Sequence, residues 1–225
     1  MTRTIRQSMY RGMCPGVLTL VLIALPNVVG AQDQQLRHLF NGKDLTGWEH
    51  VGPGEVVVED NVLKTVGGMG LLWYTEEEFS NSVIRVVYRN PGGANSGVFI
   101  RIPDRPTEPW MPVNRGYEVQ IDDTDDEFHV TGVLYSLTRA AAAPSRPDEW
   151  NTMEITLAGD RTVVRINDVL VTDYTEGQPV RARTESWEPE RGPRPVSGFL
   201  GVQNHGEDDV AYFREISVRP LQPGD

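Results

Sequence analysis

The stretch "WNTMEITLAGDRTVVRINDVLV", residues 150–171, decides what kind of fold this chain adopts. Between residues 152 and 157 polar and apolar side chains alternate, which is the period of a β-strand with one buried face. "GD" at 159–160 and "ND" at 167–168 separate the alternating runs, as hairpin turns do. The stretch therefore predicts consecutive antiparallel strands joined by tight turns.

The same signal continues on both sides of this stretch, and no segment shows a sustained helical period. Further β-rich runs, separated by turn residues, are "EVVVED", "VIRVVYRN", "SGVFIRI", "YEVQID", "TGVLYSL", "GFLGVQN" and "VAYFREISVRPL". Together they predict about ten to twelve antiparallel strands in one all-β domain, a two-sheet jelly-roll sandwich.

The N-terminal segment has the pattern of a secretory signal peptide. Three arginines precede the apolar run "GVLTLVLIAL", and the small residues "VVGA" follow it. We therefore expect residues 1–31 to be a cleaved signal peptide and residues 32–225 to form a single domain. An uncleaved anchor is the alternative, against which Pro26 and "VVGA" argue. In both cases the domain is exported, and the only cysteine, Cys14, lies outside it.

The charge balance excludes some classes of partner. Three of the 21 Lys and Arg and none of the 32 Asp and Glu lie in the predicted signal peptide, which leaves a mature net charge of 18 − 32 = −14. Such a charge repels phosphate backbones and anionic lipid surfaces. We therefore expect no nucleic-acid partner and no membrane partner after signal cleavage, whereas neutral ligands such as sugars remain open.

Polar side chains share one face of the strand predicted in "GYEVQIDD", residues 116–123. Alternate residues of a strand point to the same side, so Glu118, Gln120 and Asp122 lie together. The residues between them are apolar and point toward the core. A solvated outer face would also produce this pattern.

Two other predicted strands carry polar groups of the same kind. In "NSGVFIR", Asn95 and Arg101 share a face with Phe99, and in "GFLGVQNHG" Gln203 and His205 share one. A carboxyl group, amides, a guanidinium and an imidazole on several strands predict one polar cleft, provided that these strands are neighbours on a concave sheet.

Three predicted loops exceed ordinary hairpin length: residues 103–116, 138–149 and 175–198. Two of them carry an isolated tryptophan, Trp110 and Trp187. A flat indole is a good platform for the apolar face of a sugar ring, although a tryptophan that pins a loop to the domain would look the same in sequence.

The motifs taken in order resemble one family. They are "LFNGKDLTGW", "NSGVFIR", "GYEVQIDD", "TGVLY", the opening stretch, and "GFLGVQNHG" with "VAYFREISVRPL". From Leu39 to Leu221 the chain is similar to the 3-keto-disaccharide hydrolase domain family. The family's closing motif resembles "LQDHG", where this chain has "VQNHG"; Asn204 has core-facing parity or ends the strand, so the chemistry is expected to survive.

The resemblance implies a concanavalin A-like jelly roll of the lectin and glucanase type, in exported bacterial proteins that act on glycosides oxidised at carbon 3. Export would be to the periplasm or the exterior. A ketone at carbon 3 acidifies the proton on carbon 2, so a base can remove it while the aglycone leaves carbon 1. Water then adds across the enone. The site needs a base, a stabiliser for the enolate oxygen and an acid for the leaving group.

The candidate residues follow from these needs. His205 is the expected base because imidazole titrates near neutrality, and His129 is a weaker candidate. Glu118 and Asp122 are candidates for the second acid or base, or for ligands of a divalent metal beside His205; no cofactor is certain. Arg101 is the candidate enolate stabiliser, and the expected hydroxyl-binding residues are Asn95, Gln120, Tyr135 and Gln203.

Two other functions remain open in the sequence. Laminarinase-type retaining glycosidases carry two carboxyl groups on alternate positions of one strand, where this chain has Glu118, Gln120 and Asp122. Residues four apart on a strand are about 13 Å apart at the backbone, so a Glu and a shorter Asp reach the roughly 5 to 5.5 Å of a retaining pair with difficulty. The other alternative is a glycan-binding module without catalysis, which sandwich folds commonly supply.

Overall fold

The expected all-β sandwich is present. A computed structural model describes residue 1 and residues 36–225, which contain two antiparallel sheets, one short α-helix and one 3-10 turn at Pro91–Gly93. Apart from residue 1, the predicted signal peptide, residues 1–31, lies outside the described residues. Within the described part of the chain, no helix is long and apolar enough to cross a membrane.

The larger sheet is built from the hairpins of the opening stretch and the chain around them. Its strands are β1 (Arg37–His38), β3 (Glu55–Glu59), β4 (Val62–Val66), β6 (Ser82–Arg89), β9 (Asn151–Ala158), β10 (Arg161–Ile166), β11 (Val169–Thr175) and β13 (Tyr212–Pro220). They lie in the order β11-β10-β9-β6-β13-β4-β3, with β1 beside β13. The predicted "ND" turn joins β10 to β11 with Asn167 and Asp168 at φ 49° and 67°, the left-handed conformation of a tight hairpin.

The smaller sheet carries the polar motifs. Its order is β2-β5-β12-β7-β8, formed by β2 (Trp48–Val51), β5 (Gly70–Tyr74), β7 (Ser96–Ile102), β8 (Tyr117–Ile121) and β12 (Phe199–Asn204). The strands β12, β7 and β8, which contain or adjoin the three polar motifs, are direct neighbours. The strand order therefore meets one condition for a shared cleft, that the strands with the polar motifs are neighbours.

The core lies between the two sheets. Val119 and Ile121 of β8 and Ile155 of β9 are fully buried in one cluster of apolar side chains. Burying a side chain of this size contributes about 1.5–3 kcal/mol relative to leaving it exposed. Every second residue of "YEVQI" is apolar, and these residues fix which face of β8 meets the core. The polar residues between them must face the other way.

Two segments differ from the sequence expectation. "TGVLYSL" is not a strand: Gly132 at φ 92° and Ser136 at φ 59° turn the chain, and only Leu134 makes an isolated bridge to Val119. The long loop 103–116 contains a short helix, α1 (Trp110–Arg115), whose Val113 packs beside Phe99 on the outer side of the smaller sheet.

Candidate active site

The outer face of the smaller sheet carries a cleft of about 260 Å³. Its floor comes from β8 and β12, and its walls come from α1 and from the loops that hold Tyr135, Trp187 and His205. The lining residues are Met69, Asn95, Trp110, Val113, Glu118, Gln120, Tyr135, Trp187, Gln203 and His205. The structure thus brings the predicted site residues together, with the exception of Asp122, Arg101 and the weaker base candidate His129.

Glu118 is a buried carboxyl group on the cleft floor, with 5% of its surface exposed. Burial raises the pKa of Glu118 to about 8, although a hydrogen bond from the Gln203 amide acts in the opposite direction. At neutral pH the carboxyl group is therefore mostly protonated and can act as a proton donor.

A glycine makes room for this carboxyl group. Gly97 of β7 pairs with Gln120 of β8, and a Cβ atom at Gly97 would overlap with the Glu118 side chain. The lack of a side chain at residue 97 therefore allows Glu118 to lie flat over β7, in the direction of β12 and His205.

His205 stands just beyond the end of β12 and is oriented by an acid that the sequence did not single out. Its Nδ1 lies 2.6 Å from Oδ2 of Asp209. The other carboxylate oxygen of Asp209 accepts a hydrogen bond of 2.9 Å from the backbone N–H of Asn95. His205 keeps 38% of its side chain exposed, so one ring nitrogen is held by protein and the ring stays accessible from the cleft.

Amide side chains of Gln120 and Gln203 form part of the cleft floor beside Glu118. Gln120 donates from Nε2 to Oδ1 of Asn95 over 3.4 Å, and the amide of Gln203 donates to Glu118. Asn204 faces inward, as its parity predicted, and its amide donates to the carbonyl oxygens of Glu55 and Val66. The departure from the family motif at Asn204 therefore lies outside the cleft.

An aromatic wall flanks Glu118. The centroid of the His129 ring lies 5.1 Å from the centroid of the Tyr135 ring and 5.9 Å from that of the Trp187 ring. Burial, followed by the negative charge of Glu118, raises the pKa of the Tyr135 phenol, which therefore stays protonated and can donate a hydrogen bond. His129 is buried behind this wall and does not line the cleft, so the structure does not place it as a base.

The two rim tryptophans remain accessible. Trp110 is 44% and Trp187 49% exposed, although both line the cleft. Trp187 also rests against His129, so it packs on the domain and presents a free indole surface at the same time. This placement is compatible with the predicted sugar platform.

Arg101 does not reach the cleft, contrary to the sequence prediction. It adopts φ 55° opposite a register shift in β12, which is a β-bulge, and its side chain turns to the core side of the sheet. Its guanidinium group donates to the carbonyl oxygens of Pro195, Gly159 and Arg161 over 2.9–3.1 Å. Arg101 therefore joins the two sheets and cannot stabilise an enolate in the cleft.

We expect Arg101→Ala to lower the free energy of unfolding by about 2–4 kcal/mol, because a buried side chain is removed and three partly buried hydrogen bonds that join the sheets are lost. Urea unfolding followed by fluorescence measures this change, with exposed Arg183→Ala as the matched control. A stable Arg101→Ala protein with a large loss of kcat would contradict the structural role.

Asp122 also lies outside the cleft lining. Strand β8 ends at Ile121, and Oδ1 of Asp122 accepts hydrogen bonds from the backbone N–H and the hydroxyl group of Thr124 over 2.8 and 2.7 Å. The strand parity that grouped Asp122 with Glu118 does not continue into this turn. The structure therefore does not present Asp122 as a second carboxylate opposite Glu118.

Among the described residues, the group placed to share a metal ion is Asp125, Asp126 and His129, whose ligand atoms lie within 4.8 Å of one another. A contact of 2.9 Å between Nδ1 of His129 and Oδ1 of Asp126 already explains this cluster. The ligand set expected from sequence, with Glu118 and Asp122 beside His205, is not such a group in the described part of the chain.

Residues 35–219 match the 3-keto-alpha-glucoside-1,2-lyase-like domain. The chain belongs to this family. Family membership supports a carbohydrate-active function and agrees with the resemblance that the motifs carry. No curated protein matches the chain.

Solved structures share the fold. A candidate glycosyl hydrolase from Parabacteroides distasonis is 26% identical, with a TM-score of 0.68, over 83% of this chain and 100% of that chain. A second candidate glycosyl hydrolase from the same organism is 22% identical, with a TM-score of 0.66, over 82% and 93%. The carbohydrate-binding module CBM66 from Bacillus subtilis is 16% identical, with a TM-score of 0.52, over 77% and 95%. These likenesses confirm the jelly-roll sandwich.

Proposed function

We propose that the domain cleaves 3-keto-glycosides by removing the proton on carbon 2 and expelling the aglycone, followed by hydration of the enone. The observation that carries this proposal is the pairing, in one cleft, of a buried protonated carboxyl group with an imidazole held by a carboxylate. Family membership supports the 3-keto substrate class.

The charge of the cleft supports a neutral substrate. Among the described residues, no Lys or Arg side chain lines the cleft, and its polar groups are amides, a phenol, a carboxyl group and an imidazole. Hydroxyl groups of a sugar suit such donors and acceptors, whereas an anionic group would be desolvated there without a Lys or Arg to balance its charge.

Each step assigns one proton to one residue. His205 accepts the proton from carbon 2, and the bond from carbon 1 to the aglycone oxygen breaks as the carbon 1–carbon 2 double bond forms. Glu118 donates its proton to the departing oxygen, and the Tyr135 hydroxyl group stabilises the enolate oxygen by a hydrogen bond. The Glu118 carboxylate then takes a proton from water, which adds to carbon 1, and His205 returns a proton to carbon 2.

The pH dependence follows from the role of Glu118. Its pKa is raised to about 8, so the proton it must donate is present at neutral pH and is lost as the pH rises through that value. We expect kcat/KM to decline above about pH 8 by about tenfold per pH unit for a single ionisation. A pH–rate profile of Glu118→Gln, measured on its residual activity, should lack this alkaline limb.

The decisive substrate test uses an aryl 3-keto-glucoside and the matching unoxidised aryl glucoside, each with and without a chelator. The proposal expects phenol release from the keto substrate alone. No turnover on a panel of 3-keto-glycosides would overturn the enzyme proposal. It would favour a glycan-binding module, since the carbohydrate-binding module CBM66 has the same fold as this chain. Turnover of unoxidised glucan that requires Glu118 and Asp122 but not His205 would favour a retaining glycosidase.

We also propose that the domain is exported before it acts. The N-terminal pattern of residues 1–31 supports export to the periplasm or the exterior. Expression of the full chain and N-terminal sequencing of the mature protein tests it, with cleavage before Gln32 as the expected result.

A further inference from the structure

Asp209 lies in the loop between β12 and β13, four residues after His205. Its carboxylate makes two contacts at the edge of the cleft, with the His205 ring at 2.6 Å and with the Asn95 backbone N–H at 2.9 Å. Because both Asn95 and His205 line the cleft, one carboxylate touches both sides of the junction between β7 and β12.

We propose that Asp209 is a positioning residue that fixes the neutral His205 ring with its proton on Nδ1, and so leaves Nε2 as the unprotonated nitrogen offered to the substrate. The proposal rests on the function proposed above, in that His205 is the base. A carboxylate only accepts hydrogen bonds, so the ring nitrogen beside it must carry the proton.

The loop holds Asp209 rigidly enough for this role. Buried Thr65 of β4 donates from its hydroxyl group to the backbone oxygen of Asp209 over 3.1 Å. The backbone N–H of Thr65 also donates to the carbonyl oxygen of Ala211 over 3.0 Å, and the Ala211 N–H donates to the Thr65 hydroxyl oxygen over 2.8 Å. The carboxylate therefore stands on a segment tied to the opposite sheet.

A glycine keeps space for the contact. A Cβ atom at Gly206 would lie 2.7 Å from Oδ2 of Asp209, the oxygen that contacts the imidazole. Asp208, the neighbouring acid, is exposed, which makes it a matched control for charge without contact.

Nitrogen-15 NMR of the histidine rings tests the proposal without substrate. The protein has four histidines, and His205→Gln assigns the signal of interest. We expect the neutral ring of His205 to carry its proton on Nδ1 in the unmodified protein and in Asp208→Asn. In Asp209→Asn the side-chain amide can donate to Nδ1 while its oxygen still accepts from Asn95, so the proton should move to Nε2.

Turnover of a 3-keto-glucoside supplies the second readout. Asp209→Asn should lower kcat/KM by about 10²-fold or more, as expected when a base is held in the wrong tautomer, and Asp208→Asn should leave it unchanged. A proton on Nε2 in the unmodified protein, or the same tautomer in Asp209→Asn, would overturn the proposal. If the tautomer moves as expected but no 3-keto-glycoside is turned over, the positioning role stands and the proposed function fails.

Discussion

Replacing His205 with alanine is expected to lower kcat/KM on a 3-keto-glucoside by about 10³-fold, because the proposed mechanism then lacks the group that removes the proton on carbon 2. Asp209 and Asn95 stay bonded to each other in this variant, and the half-exposed ring contributes little to the core. The loss should therefore appear in kcat at unchanged stability. Initial rates of aglycone release measure it.

His38→Ala is the matched control, because His38 is an exposed histidine on β1, in the opposite sheet. It should keep the full kcat/KM. Added imidazole should restore part of the activity of His205→Ala, since a small base can occupy the vacated space at the open edge of the cleft. Full activity of His205→Ala would remove His205 from the mechanism.

Replacing Glu118 with glutamine is expected to lower kcat by about 10² to 10³-fold on a substrate with a poor leaving group, because no proton is available for the departing oxygen. The change keeps the size of the side chain and removes a buried ionisable group. Because the pKa of Glu118 rises from its ordinary value of 4.5 to about 8 on folding, the unmodified protein loses stability as the pH rises between these values. We therefore expect Glu118→Gln to have a higher free energy of unfolding than the unmodified protein at neutral and alkaline pH.

Varying the leaving group separates the role of Glu118 as the acid for the departing oxygen from its role as the base for water. An aryl group that departs easily needs little protonation, so the defect of Glu118→Gln should shrink as the leaving-group pKa falls. Glu59→Gln, at an exposed position of β3, is the matched control. A defect of equal size for good and poor leaving groups would contradict the acid role of Glu118.

Which side chains face the core could be predicted from sequence, because successive side chains of a strand point to opposite faces of the sheet. Val119 and Ile121 had to enter the core, so Glu118 and Gln120 had to face the cleft. Motif order then indicated which strands contribute, and the structure confirms that β12, β7 and β8 are neighbours.

The alternation gave the wrong side-chain orientation where the backbone departs from a regular strand. The bulge at Arg101 adds one residue to β7, so the side chains from Arg101 onward switch faces of the sheet. Ile102 therefore lies with Phe99 on the outer face, where Arg101 was expected. Asp122 follows the last residue of β8, where a turn sets its direction. Neither a bulge nor a strand end leaves a signal in the alternation itself.

Asp209 was missed for a different reason. "HGEDD" offers three acids after His205, and sequence alone does not tell which of them folds back on the imidazole. The choice depends on the bonds of Thr65 to the loop, which join residues far apart in the chain. A contact set by such long-range anchoring becomes visible only in the structure.

Turnover of an aryl 3-keto-glucoside in D₂O shows whether the proton on carbon 2 leaves and returns during cleavage. His205 is partly exposed, so its ring protons exchange with solvent between the two steps. Mass spectrometry and NMR of the 3-keto-glucose, corrected for exchange without enzyme, should show one deuterium on carbon 2. Aglycone release at the enzymatic rate with only hydrogen on carbon 2 would contradict elimination and hydration, and would indicate direct hydrolysis.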